Sequence, residues 1–177
     1  DIWVLEVGMG GRLDAVNAVD CDLAVIASID LDHQAWLGNS REAIGREKAG
    51  ILRYRGRAIV SDPNPPRSIV ERLAVLQCDC QLADRDFAVK ESQGKTFFLS
   101  VGENWPRASF LERCEVKPSS LSRSRNLAGA LAAIRSLEDR LPVGPEHVDA
   151  GAEAGERGPR GGSTRVAQPH SQGRDLR

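Results

Sequence analysis

An apolar run from Ile2 to Val7 stops at a glycine cluster, Gly8, Gly10 and Gly11, and a second run from Leu23 to Ile29 stops at Asp30. Both are short, rich in Val and Ile and bounded by Gly or Asp, which predicts strands buried on both faces of a parallel sheet. Parallel strands need crossover helices. Ser40 to Gly50 supplies one: Ser40 is a capping residue, Gly50 a stop signal, and Glu42 with Arg46 an i,i+4 pair on the solvent side. Arg57–Val60 predicts the next strand, broken by Ser61-Asp62-Pro63-Asn64-Pro65-Pro66, and Arg67–Gln77 has helical spacing at Ile69, Leu73 and Leu76. Phe87–Lys90 and Thr96–Val101 predict a hairpin, with Leu111–Val116 a third antiparallel strand. Leu121–Leu137 predicts a helix with Leu127, Leu131 and Ile134 on one face and alanines for close packing.

Beyond Pro142 the pattern collapses into a glycine-rich stretch with no aromatic residue and almost no large aliphatic one. Such a segment cannot bury enough surface to offset its chain entropy, so disorder is expected over 143–177. The fold class is therefore α/β: a mostly parallel sheet with flanking helices and a small antiparallel hairpin region over 1–142, then a low-complexity tail.

Composition narrows the partners. The chain has 177 residues, 41% of them apolar, and 24 basic against 25 acidic residues give a net charge of −1. No basic footprint exists for nucleic acid or an anionic membrane, and no apolar stretch approaches the roughly 20 residues a spanning helix needs. A cytoplasmic protein with small-molecule or protein partners is expected. Cys21, Cys78, Cys80 and Cys114 form no Cys-x-x-Cys pair, which points to incidental free thiols.

The glycine cluster fails as a phosphate cradle. A dinucleotide fingerprint needs glycine at its sixth position, where Leu13 stands, and a P-loop needs Lys-Ser or Lys-Thr where Gly11 is followed by Arg12-Leu13. What remains is Glu6 at the carboxyl end of a strand, where open α/β sheets place their ligands. A carboxylate buried there needs a cation, either a metal ion or Arg12. The second strand ends in the same way at Asp30, Asp32 and His33. One carboxylate and one imidazole suit a divalent ion that keeps several waters, and magnesium usually comes with a phosphorylated substrate. The alternative for His33 is a surface loop residue. Ile44, Lys48 and Ile51 fall at i, i+4 and i+7, which puts an amine on an apolar stripe. A desolvated, neutral amine can take up carbon dioxide as a carbamate, whereas a snorkelling lysine keeps its head in water.

Taken together, Leu5–Asn17 (LEVGMGGRLDAVN), Ile26–Gly38 (IASIDLDHQAWLG) and Arg41–Arg53 (REAIGREKAGILR) closely resemble the folylpolyglutamate synthase and dihydrofolate synthase family of the Mur ligase superfamily. Ser124–Leu137 is a weaker match, to a helix of that family that begins with an adenine-contacting Asn. The resemblance implies the second half of a Mur-ligase-type central ATPase domain. It implies an ATP-dependent ligase that adds L-glutamate to dihydropteroate or folate through an acyl phosphate, with Mg2+ clamping phosphoryl oxygens. It makes Glu6 and His33 metal ligands and Lys48 a carbamylated lysine that organises the metals. Leu13, Asp14 and Ala15 match the dihydropteroate-holding segment, and Asn126 matches the adenine contact, although a capping role explains an Asn there equally well. The family is mostly monomeric.

A P-loop and the family's Pro-Gly-Arg linker do not occur in this sequence. The chain is accordingly expected to be an incomplete fragment, inactive by itself, lacking the P-loop and the carboxy-terminal domain. The codons permitted for Pro159–Ser163, read two bases later, can spell that linker, which suggests a frame-shifted tail. Two other functions are consistent with the residues: a non-catalytic remnant that binds pterin or a partner chain, and a related ligase acting on cell-wall precursors.

Overall fold

The computed structural model describes residues 2–31, 33–92, 95–100, 121–144, 147, 150 and 151. Asp32, Cys114, the strand expected at 111–116 and most of 143–177 lie outside the described residues.

Three parallel strands, β1 (Leu23–Ile26), β2 (Arg57–Val60) and β3 (Asp79–Leu82), form a sheet in that order, paired from Leu23 opposite Arg57 and Arg57 opposite Asp79. Helix α2 (Arg41–Lys48) connects the first two and α3 (Arg67–Val75) the second two. The period of two along β2 explains its near-continuous apolar sequence. Ala58 and Val60 pack with Ile44, Ala49, Leu52, Ile69 and Leu73 under α2 and α3. Ile59 points the other way, onto Ala128, Leu131 and Ala132 of α4 (Leu121–Ser136) and onto Phe87. Each of the Val, Leu, Ile and Phe side chains among these, once fully buried, stabilises the fold by roughly 1.5–3 kcal/mol.

Helix α4 approaches closely through Gly129, where a Cβ would overlap Ser61 Oγ at the end of β2. Among its described positions Ala128, Gly129, Leu131, Ala132 and Arg135 are buried, while Leu127 and Ile134, predicted on the buried face, are half-buried. The hairpin β4 (Phe87–Ser92) and β5 (Lys95–Ser100) pairs antiparallel, as its sequence predicts, and Phe87 anchors it to the core beneath α4.

Four expectations change. Ile2–Val7 is not a strand: it makes no ladder with β1, and Trp3 and Val4 are 82% and 86% exposed. A buried strand needs a hydrogen-bonding neighbour and cover on both faces, and the described residues supply neither beyond β1. The second run is also shorter than predicted and only partly covered on its second face, where Leu23 packs against the cluster under α4 and Val25 remains exposed. Gly50 does not end a helix; it lies in a 3-10 turn, Ala49–Ile51, where a Cβ would meet Arg12 Cα at 2.6 Å. Glu42, expected to pair with Arg46, instead directs its carboxylate to the start of α3.

Candidate active site

The glycine cluster is built for close approach to the end of α2. Gly10 has φ of +67°, which favours glycine, and a Cβ there would lie 2.9 Å from Leu37. A Cβ on Gly11 would lie 2.9 Å from Ile51 and 3.0 and 3.3 Å from the carbonyl oxygens of Glu47 and Lys48. The next residue fastens the loop: Arg12 N–H donates to Glu47 O at 3.0 Å, and the Arg12 guanidinium pairs with the Glu47 carboxylate at 3.1 Å. Arg12 therefore belongs to Glu47, and the alternative in which it neutralises Glu6 is not what forms.

Farther along, Asn17 donates to Arg12 O and Gly50 O, both at 3.2 Å, and Arg53 donates to Asn17 O at 2.7 Å and to Asp20 at 2.7 Å. Two segments distant in sequence are thus stapled by polar contacts beside the close approach of Gly11 to Ile51. Asp14 shapes the loop from within. Its carboxylate caps the 3-10 turn Ala15–Ala18 by accepting from Val16 N–H at 2.9 Å, and its other oxygen accepts from Gly8 and Met9 N–H at 3.0 and 3.3 Å. The hydrogen bond from Val16, followed by that from Met9, holds the carboxyl below its ordinary value of 3.8. Leu13 and Ala15, on either side, are exposed.

His33 stands at the N-cap of a four-residue helix, α1 (Gln34–Leu37), with left-handed backbone at φ +50°. Its carbonyl accepts from Trp36 and Leu37 N–H at 2.9 and 3.0 Å. Leu37 is the side chain that Gly10 abuts, so the histidine's helix, the glycine loop and the turn carrying Lys48 share one neighbourhood. Lys48 is half-buried at the last position of α2, behind the fully buried Ile44. Glu6 is exposed on the non-strand segment ahead of Gly8, and Asn126 is exposed on the first turns of α4. Asn126 is inside the helix rather than at its cap, which removes the capping alternative for it.

Among the described residues, no three or more His, Cys, Asp or Glu side chains are grouped to hold a metal ion. One carboxylate and one imidazole still fit a hard cation whose remaining positions are filled by water and phosphate oxygens, because such a site is rarely an all-protein cage. Cys21, Cys78 and Cys80 are free thiols, and burial pushes the Cys78 thiol up. No helix among the described residues is long and apolar enough to cross a membrane.

Sequence reasoning missed Arg41 and Asp62. Asp62, 3% exposed just past β2, accepts from Ile29 N–H at 2.7 Å, Asn64 N–H at 2.9 Å and the Arg41 guanidinium at 2.8 Å. The signal was available: a carboxylate just past the carboxyl end of a strand is the criterion that singles out Glu6 and Asp30. A cavity of about 200 Å³ opens at the same sheet end, lined by Ser61, Asp84, Phe87 and Arg125.

No protein-family model matches the chain. Individual relatives do. The chain is 42% identical over 137 residues to the dihydrofolate synthase/folylpolyglutamate synthase of Escherichia coli, and 39% identical over 137 residues to that of Haemophilus influenzae; each match covers 77% of this chain and 30% and 29% of the relative, respectively. Among solved structures, E. coli FolC in complex with DHPP and ADP superposes with a TM-score of 0.65 at 38% identity, covering 82% of this chain and 33% of that one. The Yersinia pestis bifunctional enzyme complexed with AMPPNP and Mn ion gives 0.66 at 37% identity, covering 84% and 33%. The chain thus spans about a third of the length of the relatives it matches. The parallel sheet with its flanking helices is the α/β fold those structures share with this one, and over the matched segment the chain is similar to the folylpolyglutamate synthases/dihydrofolate synthases of the Mur ligase superfamily.

Proposed function

We propose that these residues form part of an ATP-dependent ligase that joins L-glutamate to dihydropteroate, folate or both. The observation that carries the reading is the packing of the glycine loop, with Asp14 at its centre, onto the turn that bears Lys48 and the helix that follows His33. In the proposed reaction the γ-phosphoryl group of ATP passes to the pterin substrate's carboxylate, the amine of glutamate attacks the acyl carbon, and inorganic phosphate leaves with the C–O bond. Glu6 and His33 would hold a divalent ion, magnesium in our reading, that offsets charge on phosphoryl oxygens when bound. Lys48, carbamylated, would place a carboxylate beside them. Leu13 and Ala15 would flank the pterin, and Asp14, whose oxygens already face the loop interior, would accept from its N–H groups. Asn126 would contact adenine from the surface of α4.

Names of the matched relatives favour the folate branch over cell-wall precursors and an enzyme segment over a purely non-catalytic remnant. Localisation in the cytoplasm and a monomeric state are further parts of the proposal. The test is a graft: residues 1–142 replace the matching segment of the E. coli enzyme, and phosphate release is measured with ATP, glutamate and dihydropteroate. Activity is expected, with Glu6→Gln, His33→Ala and Lys48→Ala each lowering kcat by about a hundredfold or more. A folded graft that binds ADP but turns over only with a muramyl-peptide acceptor overturns the folate reading. The 177 residues alone serve as the control and are expected to release no phosphate.

A further inference from the structure

The excursion between β1 and α2 is closed at its neck by one ion pair. Ile29, where the chain leaves the core, donates its N–H to Asp62 at 2.7 Å, and its carbonyl accepts from Arg41 Nε at 3.0 Å. Arg41 is the first residue of α2, where the chain returns. Its Nη2 also reaches Asp62 at 2.8 Å and the Asn64 carbonyl at 2.9 Å. A single guanidinium therefore ties the departure of residues 30–40, their return, and the loop beyond β2 to one buried carboxylate. Ile29 itself is 4% exposed and belongs to the core beneath α2.

We infer that Arg41 and Asp62 are positioning residues for His33. Inside the closed neck, His33 holds a left-handed backbone and starts a helix of only four residues. So short a helix has no stability of its own, and the left-handed conformation is disfavoured for a non-glycine residue. Both persist only when the surroundings fix the ends of the segment. Asp62 is suited to that task because removing either member would leave the other with uncompensated polarity: the carboxylate is buried, and its three donors come from three separate segments. Lysine at 41 keeps the charge but not the fork that spans Ile29 O, Asp62 and Asn64 O. Ser40 already caps α2 by accepting from Ala43 N–H at 3.2 Å, so the guanidinium is not needed to start that helix.

That the positioned imidazole serves a metal rests on the proposed ligase reading; the latch itself does not. The experiment uses the full chain, labelled with 15N, with Arg41→Ala, Arg41→Lys and Asp62→Asn. Amide exchange at Trp36, Leu37 and Gly38, whose N–H groups bond to the carbonyls of His33 and Gln34, should speed about tenfold or more in Arg41→Ala and Asp62→Asn, while Ser61 and Ala83, bonded across the sheet, stay within about twofold. The His33 ring resonances should move in the same variants, and Arg41→Lys should restore part of both effects. Unchanged exchange and ring resonances in a folded Arg41→Ala overturn the inference. Sheet and loop amides accelerating together in both Arg41 variants do so as well, because the pair would then support the whole fold. Mn2+ added to the unaltered chain separates the two claims: failure to broaden the His33 ring defeats the metal reading, and the exchange data still decide the latch.

Discussion

Glu42, on the first turn of α2, caps a different helix: its two carboxylate oxygens accept from the backbone N–H groups of Arg67 and Ser68 at 2.9 and 2.8 Å, at the start of α3. Ser68 returns a hydroxyl to the Glu42 carbonyl at 2.9 Å, so the two helices are joined at one corner. Pro66 occupies the N-cap position of α3 and offers no side-chain acceptor, which leaves the first N–H groups of that helix to be satisfied from outside.

The hydrogen bonds from Ser68 and then Arg67 hold the Glu42 carboxyl below its ordinary value of 4.5. A carboxyl with a lowered folded-state pKa contributes stability that is present above the unfolded value and lost as pH falls through the folded one. Chemical-denaturation midpoints should therefore decline below pH 4.5 in the unaltered chain. Glu42→Gln should be less stable at neutral pH and show a shallower acid decline. Equal acid slopes in the two proteins would rule out this cap as a source.

Gly129 lies inside α4, where glycine is ordinarily about 1 kcal/mol worse than alanine. Helix propensity alone thus favours Gly129→Ala. Packing opposes it, since the new Cβ would overlap Ser61 Oγ in the closely packed contact between α4 and the end of β2. We expect a net loss of about 1–3 kcal/mol in urea unfolding, the usual scale of overpacking. Ser61→Ala in the same chain should recover much of that loss, because it removes the oxygen and leaves a Cβ 3.2 Å from the new methyl. Additive effects of the two substitutions would show that the clash is relieved elsewhere.

What the sequence made legible follows from what is local. The apolar period placed β2 at Arg57–Val60, the hairpin strands and α4, and the Ser40 cap follows from its own side chain and the backbone three residues on. Strand β3 was missed: Asp-Cys-Gln-Leu alternates polar and apolar, with Cys80 and Leu82 packed on the core, but four residues are too few to stand out, and the open edge of β2 makes them a strand. Conversely, Ile2–Val7 has the composition of a buried strand without the ladder that makes one. Composition states what a segment can bury, and a neighbour decides whether it does. The same holds at the site. Gly10, Gly11 and Asp14 stood out in the sequence, but the reason for the glycines is the proximity of Leu37, Glu47 and Ile51, from segments over 20 residues away. Asp62 stands at a readable position past β2, but its partners, like those of Glu42, lie in segments far apart in the chain, which no local spacing records.

Asp14 offers a second acid-sensitive contact, confined to the loop. Its carboxyl is held below 3.8 by N–H groups of Val16, Met9 and Gly8, so the loop's order is retained above the unfolded value and lost as pH falls through the folded one. Amide resonances of Gly8, Met9 and Val16 should titrate together below pH 3.8, at a lower midpoint than an unstructured aspartate. Asp14→Asn keeps an acceptor oxygen but loses the charge, and should leave those amides pH-independent over the same range. Separate midpoints for the three amides would mean that one carboxylate does not organise them.

Lys48 is the position at which the proposed carbamylation is tested. It closes α2 half-buried, one turn beyond the fully buried Ile44, and its carbonyl lies in the surface that Gly11 approaches. Carbon dioxide reacts only with the neutral amine. The product would exchange a cation for an anion, as the proposed divalent-ion site requires. In the grafted enzyme, 13C-bicarbonate should yield a lysine carbamate resonance that grows as pH rises and is absent from Lys48→Gln. Lys48→Ala should lose activity by about a hundredfold or more, and a short carboxylate such as acetate should restore part of it, because the missing group is an anion rather than an amine. A fully active Lys48→Arg, with no resonance at saturating bicarbonate, would leave Lys48 as an ordinary lysine whose stem packs on the helix and whose head stays in water.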